Sequence, residues 1–446
     1  MRRFKPGILA LFVLPAYSQQ PLSLAEAARL ALERHPSVEA RAADADAAAT
    51  KVKQVHSNYY PKVSWQESWS RSNNPVFVFS SLLTQRRFTE RNFAIGSLNR
   101  PDFLNNFQSV LAVDQLLYDA GRTGKEKQAA QLGQEIAGEH ARTNAMQVIA
   151  RVVETYHGVA LAAESLKVAE DAVRSAEADL QRAEAVRGAG MATDADVLSI
   201  QVHLAAMREQ RIARSYDLEV AQSALNEALG LPLETRHQLT TPLTALPPPA
   251  GELAHYEHQA ATERPELRQA EFAARIAATR TETARSGYWP QVSFRAAFEA
   301  DRQEFVTKGG ANWFFGATMR WNLYNGNQTR EMVREASHRL RAVRAEQKRA
   351  DAGVRLEVRR AHADLMAAQE RIAVAEAAVA QAEEALRITK NRYEAGLTTV
   401  TELLRNETAL LETQTRRLAA VYHQRLAAAW LELASGILSV DSAVLQ

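Results

Sequence analysis

The sequence predicts a mainly α-helical protein with a smaller β part, built as a tandem repeat. Two segments, 122–187 and 328–394, contain no proline and little glycine, which favours very long helices. Shorter segments alternate apolar and polar residues, as strands with two different faces do. Both patterns occur twice in the same order, so the two halves of the chain are predicted to fold alike.

Residues 1–18 are predicted to be a cleavable secretory signal. Arg2, Arg3 and Lys5 precede an apolar run over 7–14, and a short cleavage-type site follows at 16–18. The full chain has a net charge of +2, so loss of these three cations leaves −1. A nearly neutral chain without a basic run is a poor match for a nucleic-acid partner.

Composition also limits the chemistry of the chain. It contains no cysteine, which excludes disulfides and thiol chemistry. Beyond the signal, no stretch approaches the roughly 18 apolar residues of a membrane-spanning helix. If the protein crosses a membrane, strands must do so.

The two halves align at a constant offset over a long distance. From Leu117 onward the offset is 206, which places Gly190 on Gly396, whereas at Pro61 it is 229. The first half therefore carries 23 extra residues between Pro61 and Leu117. We interpret the segment 74–107 within this stretch as a long loop.

The repeat also sets the predicted domain boundaries. The signal at 1–18 is followed by a first repeat at 19–230, a proline-rich linker at 231–258, a second repeat at 259–436 and a tail at 437–446. The prolines within 242–249 cannot continue a helix, so this part of the linker is predicted to be extended.

Each repeat is predicted to contain three helices. The long helices, 122–187 and 328–394, would each span roughly 100 Å. The shorter helices are predicted at 37–57, 193–229, 266–286 and 399–435. Apolar residues step by three and four along the first long helix, as at Leu166, Ala169 and Val173, which favours antiparallel coiled-coil packing. A generic bundle core would give the same pattern.

The turns after the long helices are the clearest local signal. Gly190 and Gly396 stand where the end of a helix favours a positive φ. Thr193 and Thr399 follow, each with an acid three residues later, which is the spacing of a capping box. A tight, well-capped hairpin explains these residues as structure. The functional interpretation is that the turns dock a partner or close a pore.

Strand-like segments occur near 60–118 and 289–324. Apolar residues occupy every second position of 292–300 and 315–323, and five of the six tryptophans lie in or beside such segments. One apolar face, one polar face and aromatic ends are typical of a membrane β-barrel, although a sheet with one buried face gives the same alternation. Four strands cannot close a barrel, so a spanning role requires several chains to share one.

No arrangement of residues points to catalysis, a metal or a cofactor. His255 and His258 have the only metal-like spacing that we considered, and further ligands are missing nearby. Gly188 and Gly190 lie between helices rather than after a strand, which does not support a dinucleotide loop. We expect no enzymatic activity. A periplasmic coiled-coil adaptor or scaffold is the alternative to a membrane channel.

Taken together, these features resemble the TolC-like outer-membrane efflux proteins over essentially the whole mature chain. The matching motifs are the helix at 22–31, the Tyr-Pro and Trp-Pro strand starts at 60–61 and 289–290, the Leu-Tyr-Asp/Asn turns at 117–119 and 323–325, both Gly-x-x-Thr turns, and Ala-Leu-Gly-Leu-Pro at 228–232. The resemblance implies a homotrimer in the outer membrane of a Gram-negative bacterium, with four strands per chain in a shared twelve-stranded transmembrane barrel. A twelve-helix periplasmic tunnel would continue this barrel as a trimeric α-barrel.

The function that this resemblance implies is a passive exit duct. Such a duct works in a tripartite efflux pump, or alternatively in type I protein secretion. It docks an inner-membrane transporter through a periplasmic adaptor protein.

The resemblance assigns roles to single residues. Tyr393 matches a tyrosine that helps hold the second hairpin closed, and Glu402 falls where the family can place an acidic ring at the pore constriction. Arg405 stands where a second acid sometimes occurs, which argues against a doubled ring. The alternative for Glu402 is that it only caps its own helix. The predicted adaptor-docking residues are Gly190, Met191, Thr193, Gly396, Leu397 and Thr399, and the predicted membrane-interface aromatics are Tyr59, Tyr60, Tyr118, Tyr288, Trp289, Trp321 and Tyr324.

Overall fold

The computed structural model describes residues 20–188, 193–249 and 251–446, most of which are helical. The helices are α1 (Leu24–Arg34), α2 (Pro36–His56), α3 (Pro75–Thr84), α4 (Ile95–Asn99), α5 (Arg122–Gly188), α6 (Asp194–Leu229), α7 (Leu253–Glu263), α8 (Pro265–Arg285), α9 (Gln328–Glu394) and α10 (Val400–Ser435). The strands are β1 (Gln20–Leu22), β2 (Lys62–Ser72), β3 (Leu104–Tyr118), β4 (His237–Leu239), β5 (Gln291–Arg302) and β6 (Gly310–Arg320). The predicted signal at 1–18 lies outside the described residues.

The six predicted helices are confirmed to within about one residue at each end. The long helices α5 and α9 have 67 residues each, and their partners α6 and α10 have 36 each. Both shorter helices end at a glycine in the left-handed region, Gly230 with φ 67° and Gly436 with φ 77°. Caps at the same relative positions explain why the two halves have helices of equal length.

The described residues form two compact units. One contains 20–42, 140–267 and 350–446, and the other contains 43–139 and 268–349. Both long helices supply residues to both units. Each unit therefore combines material from both sequence repeats, and the repeats are not separate compact bodies.

In the first unit, the core surrounds α1 and a short parallel pairing of β1 with β4 that the sequence did not predict. Ser23 starts α1 with a capping box to Glu26. The fully buried Tyr156 donates its hydroxyl to Leu22 O (2.8 Å) and accepts the backbone N–H of Thr241 (2.9 Å). This tyrosine thus ties β1 to Thr241, which directly precedes the predicted extended segment 242–249. That segment has neither helix nor strand, as predicted.

In the second unit, four antiparallel strands form one sheet in the order β2-β3-β5-β6. The register places Trp65, Leu111, Phe298 and Trp313 side by side across all four strands. These residues belong to an apolar face, and Trp65 and Trp313 are 66% and 70% exposed. The opposite face carries polar residues such as Gln108 and Glu299. The predicted two-faced strands are confirmed.

The predicted long loop over 74–107 is wrong. Helices α3 and α4 lie within it, and β3 already begins at Leu104. The side chain of Asn74 accepts hydrogen bonds from the N–H groups of Val76 (3.0 Å) and Phe77 (3.2 Å), and Pro75 occupies the first helical position. Asparagine followed by proline is a strong helix start, because the pair satisfies free amides and presets φ.

Candidate functional site

The first of the two predicted adaptor-docking turns follows α5. Thr193 caps α6: its hydroxyl accepts the Asp196 N–H (3.2 Å), and the Asp196 carboxylate accepts the Thr193 N–H (3.1 Å). This predicted capping box is confirmed. Gly190 and Met191 lie outside the described residues, so their predicted docking role stays a prediction.

The second predicted docking end joins α9 to α10. Gly396 has φ 71°, and the N–H of Leu397 donates to Arg392 O (2.8 Å), which closes a Schellman motif. Thr399 caps α10 by accepting the Glu402 N–H. Leu397 is 68% exposed. The second end therefore presents an apolar side chain on a rigid, locally determined turn.

Glu402 does not complete the second capping box. Its carboxylate instead pairs with Arg405 at 3.4 Å, and both side chains are exposed. Since the Thr399 hydroxyl already caps the helix, Glu402 is available for another role. Arg405 places a cation beside it, so the end of this hairpin carries a mixed charge pair rather than two acids.

Tyr393, on α9 of the second hairpin, contacts the first hairpin, α5–α6. It is half-buried against a small apolar cluster formed by Ala183 of α5, Val197 and Ile200 of α6 and Val400 of α10. Burial raises the pKa of Tyr393, and the nearby charges of Asp196 and Asp179 act in the same direction. The tyrosine thus stays neutral and bridges the two hairpins.

A polar cluster with a buried centre, which we call the inter-hairpin cluster, has members on all four helices of the two hairpins, α5–α6 and α9–α10. Its members are Ser175, Asp179 and Arg182 on α5, His203 on α6, Lys390 on α9 and Glu407 on α10. Asp179 is only 1% exposed and pairs with Arg182 (2.9 Å) and Lys390 (3.3 Å). Glu407 accepts a hydrogen bond from the Ser175 hydroxyl (3.0 Å) and lies 3.3 Å from His203 Nε2. The cluster thus joins the first hairpin to the second.

The carboxyls of Asp179 and Glu407 have pKa values that are shifted in opposite directions, so one proton is held between them. Burial raises the pKa of Asp179 to about 6, and the hydrogen bond and charge of Glu407 act in the same direction, while Lys390 opposes them. Burial also raises the pKa of Glu407, but hydrogen bonds from His203, Asp179 and Ser175 outweigh it and lower the pKa overall. Asp179 Oδ2 is buried without a hydrogen-bond partner, which a proton shared with Glu407 would supply.

Sequence reasoning missed this cluster, although one signal was present. Val400, Leu404, Glu407 and Leu411 step by four, three and four, so Glu407 is an acid at an apolar seam position. A charged residue at such a position needs a partner, because unpaired burial is costly. Asp179 and His203 flank apolar seam residues and gave no comparable signal.

The seven predicted interface aromatics all lie at one end of the sheet in the second unit. Four of them precede β2 or β5, Tyr118 is the last residue of β3, and Trp321 and Tyr324 follow β6. Each is between 47% and 80% exposed. Trp321 Nε1 donates to the carbonyl of Tyr288 (3.0 Å), which fixes one ring against a neighbouring strand start. The aromatic rings thus form an exposed band at one end of the sheet.

The described residues contain neither a membrane-spanning helix nor a metal-binding cluster. No helix there is both long and apolar enough to span a membrane. No group of three or more His, Asp or Glu side chains there is arranged to hold a metal ion.

Comparison with known proteins identifies a family model that covers most of the chain. The model described as "Outer membrane efflux protein" matches residues 27–231 and 257–437. Among curated proteins, Protein CyaE of Bordetella pertussis is 27% identical over 95% of this chain and 85% of its own length. The alkaline protease secretion protein AprF of Pseudomonas aeruginosa is 22% identical over 98% of this chain and 89% of its own.

A solved structure shares the fold over the whole chain. The CmeC outer membrane channel of Campylobacter jejuni superposes with a TM-score of 0.79, covering 100% of this chain and 96% of that one, at 14% identity. At this identity the likeness concerns the fold alone.

Proposed function

The chain belongs to the outer membrane efflux protein family, and we propose on that premise that three copies form one channel. The protein is an outer-membrane duct for efflux. The observation that supports the trimer is the open sheet. Strands β2 and β6 are its edges, with 11 residues each. Unpaired edges are not tolerated in lipid, so β6 of one copy would pair with β2 of the next until the barrel closes.

The strands have the dimensions that this proposal requires. They contain 11 to 15 residues, and a strand needs only about 9–11 tilted residues to cross a bilayer. The apolar face with Trp65 and Trp313 would contact lipid, and the polar face with Gln108 and Glu299 would line the channel. The band of exposed rings at the sheet end would lie at the membrane surface, where aromatic side chains are favoured.

The hairpin ends are the proposed docking and gating region. The adaptor protein would contact the turns around Thr193 and around Gly396, Leu397 and Thr399, and would connect the duct to an inner-membrane transporter. Tyr393 and the inter-hairpin cluster would hold the second hairpin against the first in the closed state. Channel proteins of this family are not enzymes, and the site offers binding surfaces and charges rather than a reaction centre.

The trimer is tested by the native mass of the detergent-extracted protein from separated membrane fractions. We expect about three times the mass of the mature chain, in the outer-membrane fraction, and a gel band whose mobility changes on heating. A soluble monomer would contradict the shared barrel.

Glu402 is the proposed pore-facing acid, because its carboxylate is exposed and is not needed for capping. Three copies of one carboxylate around an axis attract cations. We therefore expect Glu402→Ala to reduce cation preference in planar bilayers, measured as the reversal potential in a salt gradient. Glu412→Ala is the matched control, since this exposed acid pairs with Arg416 on the same helix. An unchanged reversal potential for Glu402→Ala would exclude the pore assignment.

Type I protein secretion is the second candidate function. It is favoured by the name of AprF, which describes that relative as a secretion protein for alkaline protease. Deleting the gene and measuring both drug sensitivity and the proteins in the culture medium separates the two functions. Increased drug sensitivity with an unchanged medium supports efflux, whereas loss of a secreted protein with unchanged sensitivity supports secretion.

A further inference from the structure

The 23 extra residues of the first half lie in a segment that folds back onto the end of the sheet. Val78 and Ser81 of α3 and Gln85, the residue that follows it, are 4–7% exposed and spaced as one helical face. This face packs against β3, β5 and β6. The segment is thus a docked element and not a free loop.

Polar contacts show which face of the sheet α3 occupies. Gln85 Nε2 donates to Asn106 Oδ1 (2.9 Å), and Asn106 Nδ2 donates to Asp301 Oδ1 (2.6 Å). All three side chains are at most 6% exposed. Along β3 and β5, Asn106 and Asp301 alternate in phase with Gln108 and Glu299, on the face opposite the tryptophans. Helix α3 therefore lies on the polar face, which faces the channel in the proposed trimer.

The end of α3 is held close to the start of β6. Arg86 follows α3 with φ 58°, a conformation that is costly for residues other than glycine, and its guanidinium donates to Ala311 O (2.8 Å). A Cβ at Gly310 would lie 1.8 Å from Thr84 O, so only glycine permits this approach. A strained arginine and an obligatory glycine at one contact indicate that the docking is specific.

The outward face of α3 is apolar although it points away from the sheet. Val76 is 76% exposed, Leu83 is 49% exposed and Phe79 is 38% exposed. Twelve strands about 4.8 Å apart with a tilt of about 40° enclose a circle of roughly 12 Å radius. Three helices about 10 Å across fill a circle of roughly 11 Å radius. The 12 Å radius reaches the strand backbones, and inward side chains narrow it, so three copies of α3 cannot lie wholly inside the barrel. Held at the strand ends near Asn106, Asp301 and Ala311, they would leave no open path across the mouth.

We propose that the three α3 helices meet on the channel axis through Val76, Phe79 and Leu83 and form an apolar gate at the outer mouth. This inference rests on the proposed trimeric barrel. Within its own chain, α3 is contacted by α4, and the Phe79 ring packs edge-on against Phe88 with 5.0 Å between centroids. Val76 and Leu83 stay exposed, and at the mouth of a closed barrel the surfaces that can cover them are the α3 helices of the other two copies. An apolar constriction excludes water and ions until it widens. The gate limits the size of the molecules that leave the duct. It opens when the end of α3 moves away from its contact with Gly310.

The test compares two glycine-to-alanine variants in planar bilayers. Gly310→Ala removes the space that Thr84 occupies, whereas Gly96→Ala, in the same segment, meets no atom within 4 Å. We expect low single-channel conductance for the wild type and for Gly96→Ala, and a several-fold higher conductance for Gly310→Ala. Equal conductance of all three proteins would overturn the gate.

Cysteine cross-linking gives a second readout that does not depend on Gly310. The chain has no cysteine, so Leu83→Cys places a single thiol on each copy. Oxidation should link two of the three copies through this thiol. Val306→Cys, 93% exposed in the turn after β5, is the control and should remain unlinked. A trimer in which Leu83→Cys stays unlinked would overturn the gate, whereas a wild type that forms no trimer would overturn the proposed function.

Discussion

Replacing Asp179 with asparagine is expected to remove the pH dependence of channel opening. In the structure, burial and Glu407 raise the pKa of Asp179 to about 6. In a state with separated hairpins, the same carboxyl would be in water and have the usual Asp pKa of about 3.9. Because the joined state binds the proton more tightly, acid favours it. Its extra stability is fully present below about pH 4 and is lost as the pH rises through about 6.

The wild-type channel should therefore open more often as the pH rises through about 6. After discounting for screening of the surrounding charges, the effect is about 2 kcal/mol per chain, or roughly a 30-fold change in the equilibrium. The asparagine amide donates to Glu407 at every pH, so Asp179→Asn should stay closed across the range. The measurement is the open probability in planar bilayers between about pH 4.5 and pH 7.5.

Two further variants isolate the cause. Asp171→Asn changes the same charge about two turns earlier on α5, where Asp171 is 52% exposed and pairs with Arg174, and it should behave as the wild type does. His203→Gln removes the other titratable group that faces Glu407, so a pH response that survives in it belongs to Asp179. If Asp179→Asn titrates with the wild-type midpoint, the inter-hairpin cluster is not the sensor.

Replacing Gly436 with alanine is expected to destabilise the first unit strongly. Gly436 has φ 77°, and an added Cβ would lie 2.9 Å from both Arg264 N and Glu263 C. The left-handed conformation costs a non-glycine residue about 1–2 kcal/mol, and the backbone contact cannot relax cheaply, so we expect a total loss of about 3 kcal/mol. The measurement is the thermal unfolding midpoint of the detergent-solubilised protein, followed by far-UV circular dichroism.

The control for this variant is Gly353→Ala in α9. Gly353 is helical, and a Cβ there would meet no atom within 4 Å. Alanine should be neutral or stabilising by up to about 1 kcal/mol, because it restricts the unfolded chain and suits a helix. A Gly436→Ala midpoint equal to that of Gly353→Ala would show that α10 does not need its left-handed end.

The repeat explains why Gly436 matters. Gly230, at the equivalent position of the first repeat, would bring a Cβ to 2.7 Å from Arg34 O. Each glycine therefore packs against the residues just before a proline helix start, Pro36 or Pro265. The sequence shows that Gly230 aligns with Gly436. Only the fold shows the reason for both glycines, which is that another backbone segment lies too close for a Cβ.

The sequence by itself determined the six longest helices, their ends and the two-faced strands. These features depend on neighbours in the chain: Thr193 pairs with Asp196 three residues away, and the turn at Gly396 closes through a hydrogen bond from the Leu397 N–H to Arg392 O. Two local predictions are wrong: the loop over 74–107, because Asn74 and Pro75 start a helix, and the second capping box, because the Glu402 carboxylate pairs with Arg405.

Only the tertiary structure decided which side chains meet. Ser175 and Glu407 are separated by 232 residues, and Asn106 and Asp301 by 195. A periodic pattern shows that a residue is on the inner side of its own helix or strand, but not which element covers it. The inter-hairpin cluster and the contact of α3 with the sheet thus depend on how distant segments pack, since burial and pairing of charges are properties of the assembled core.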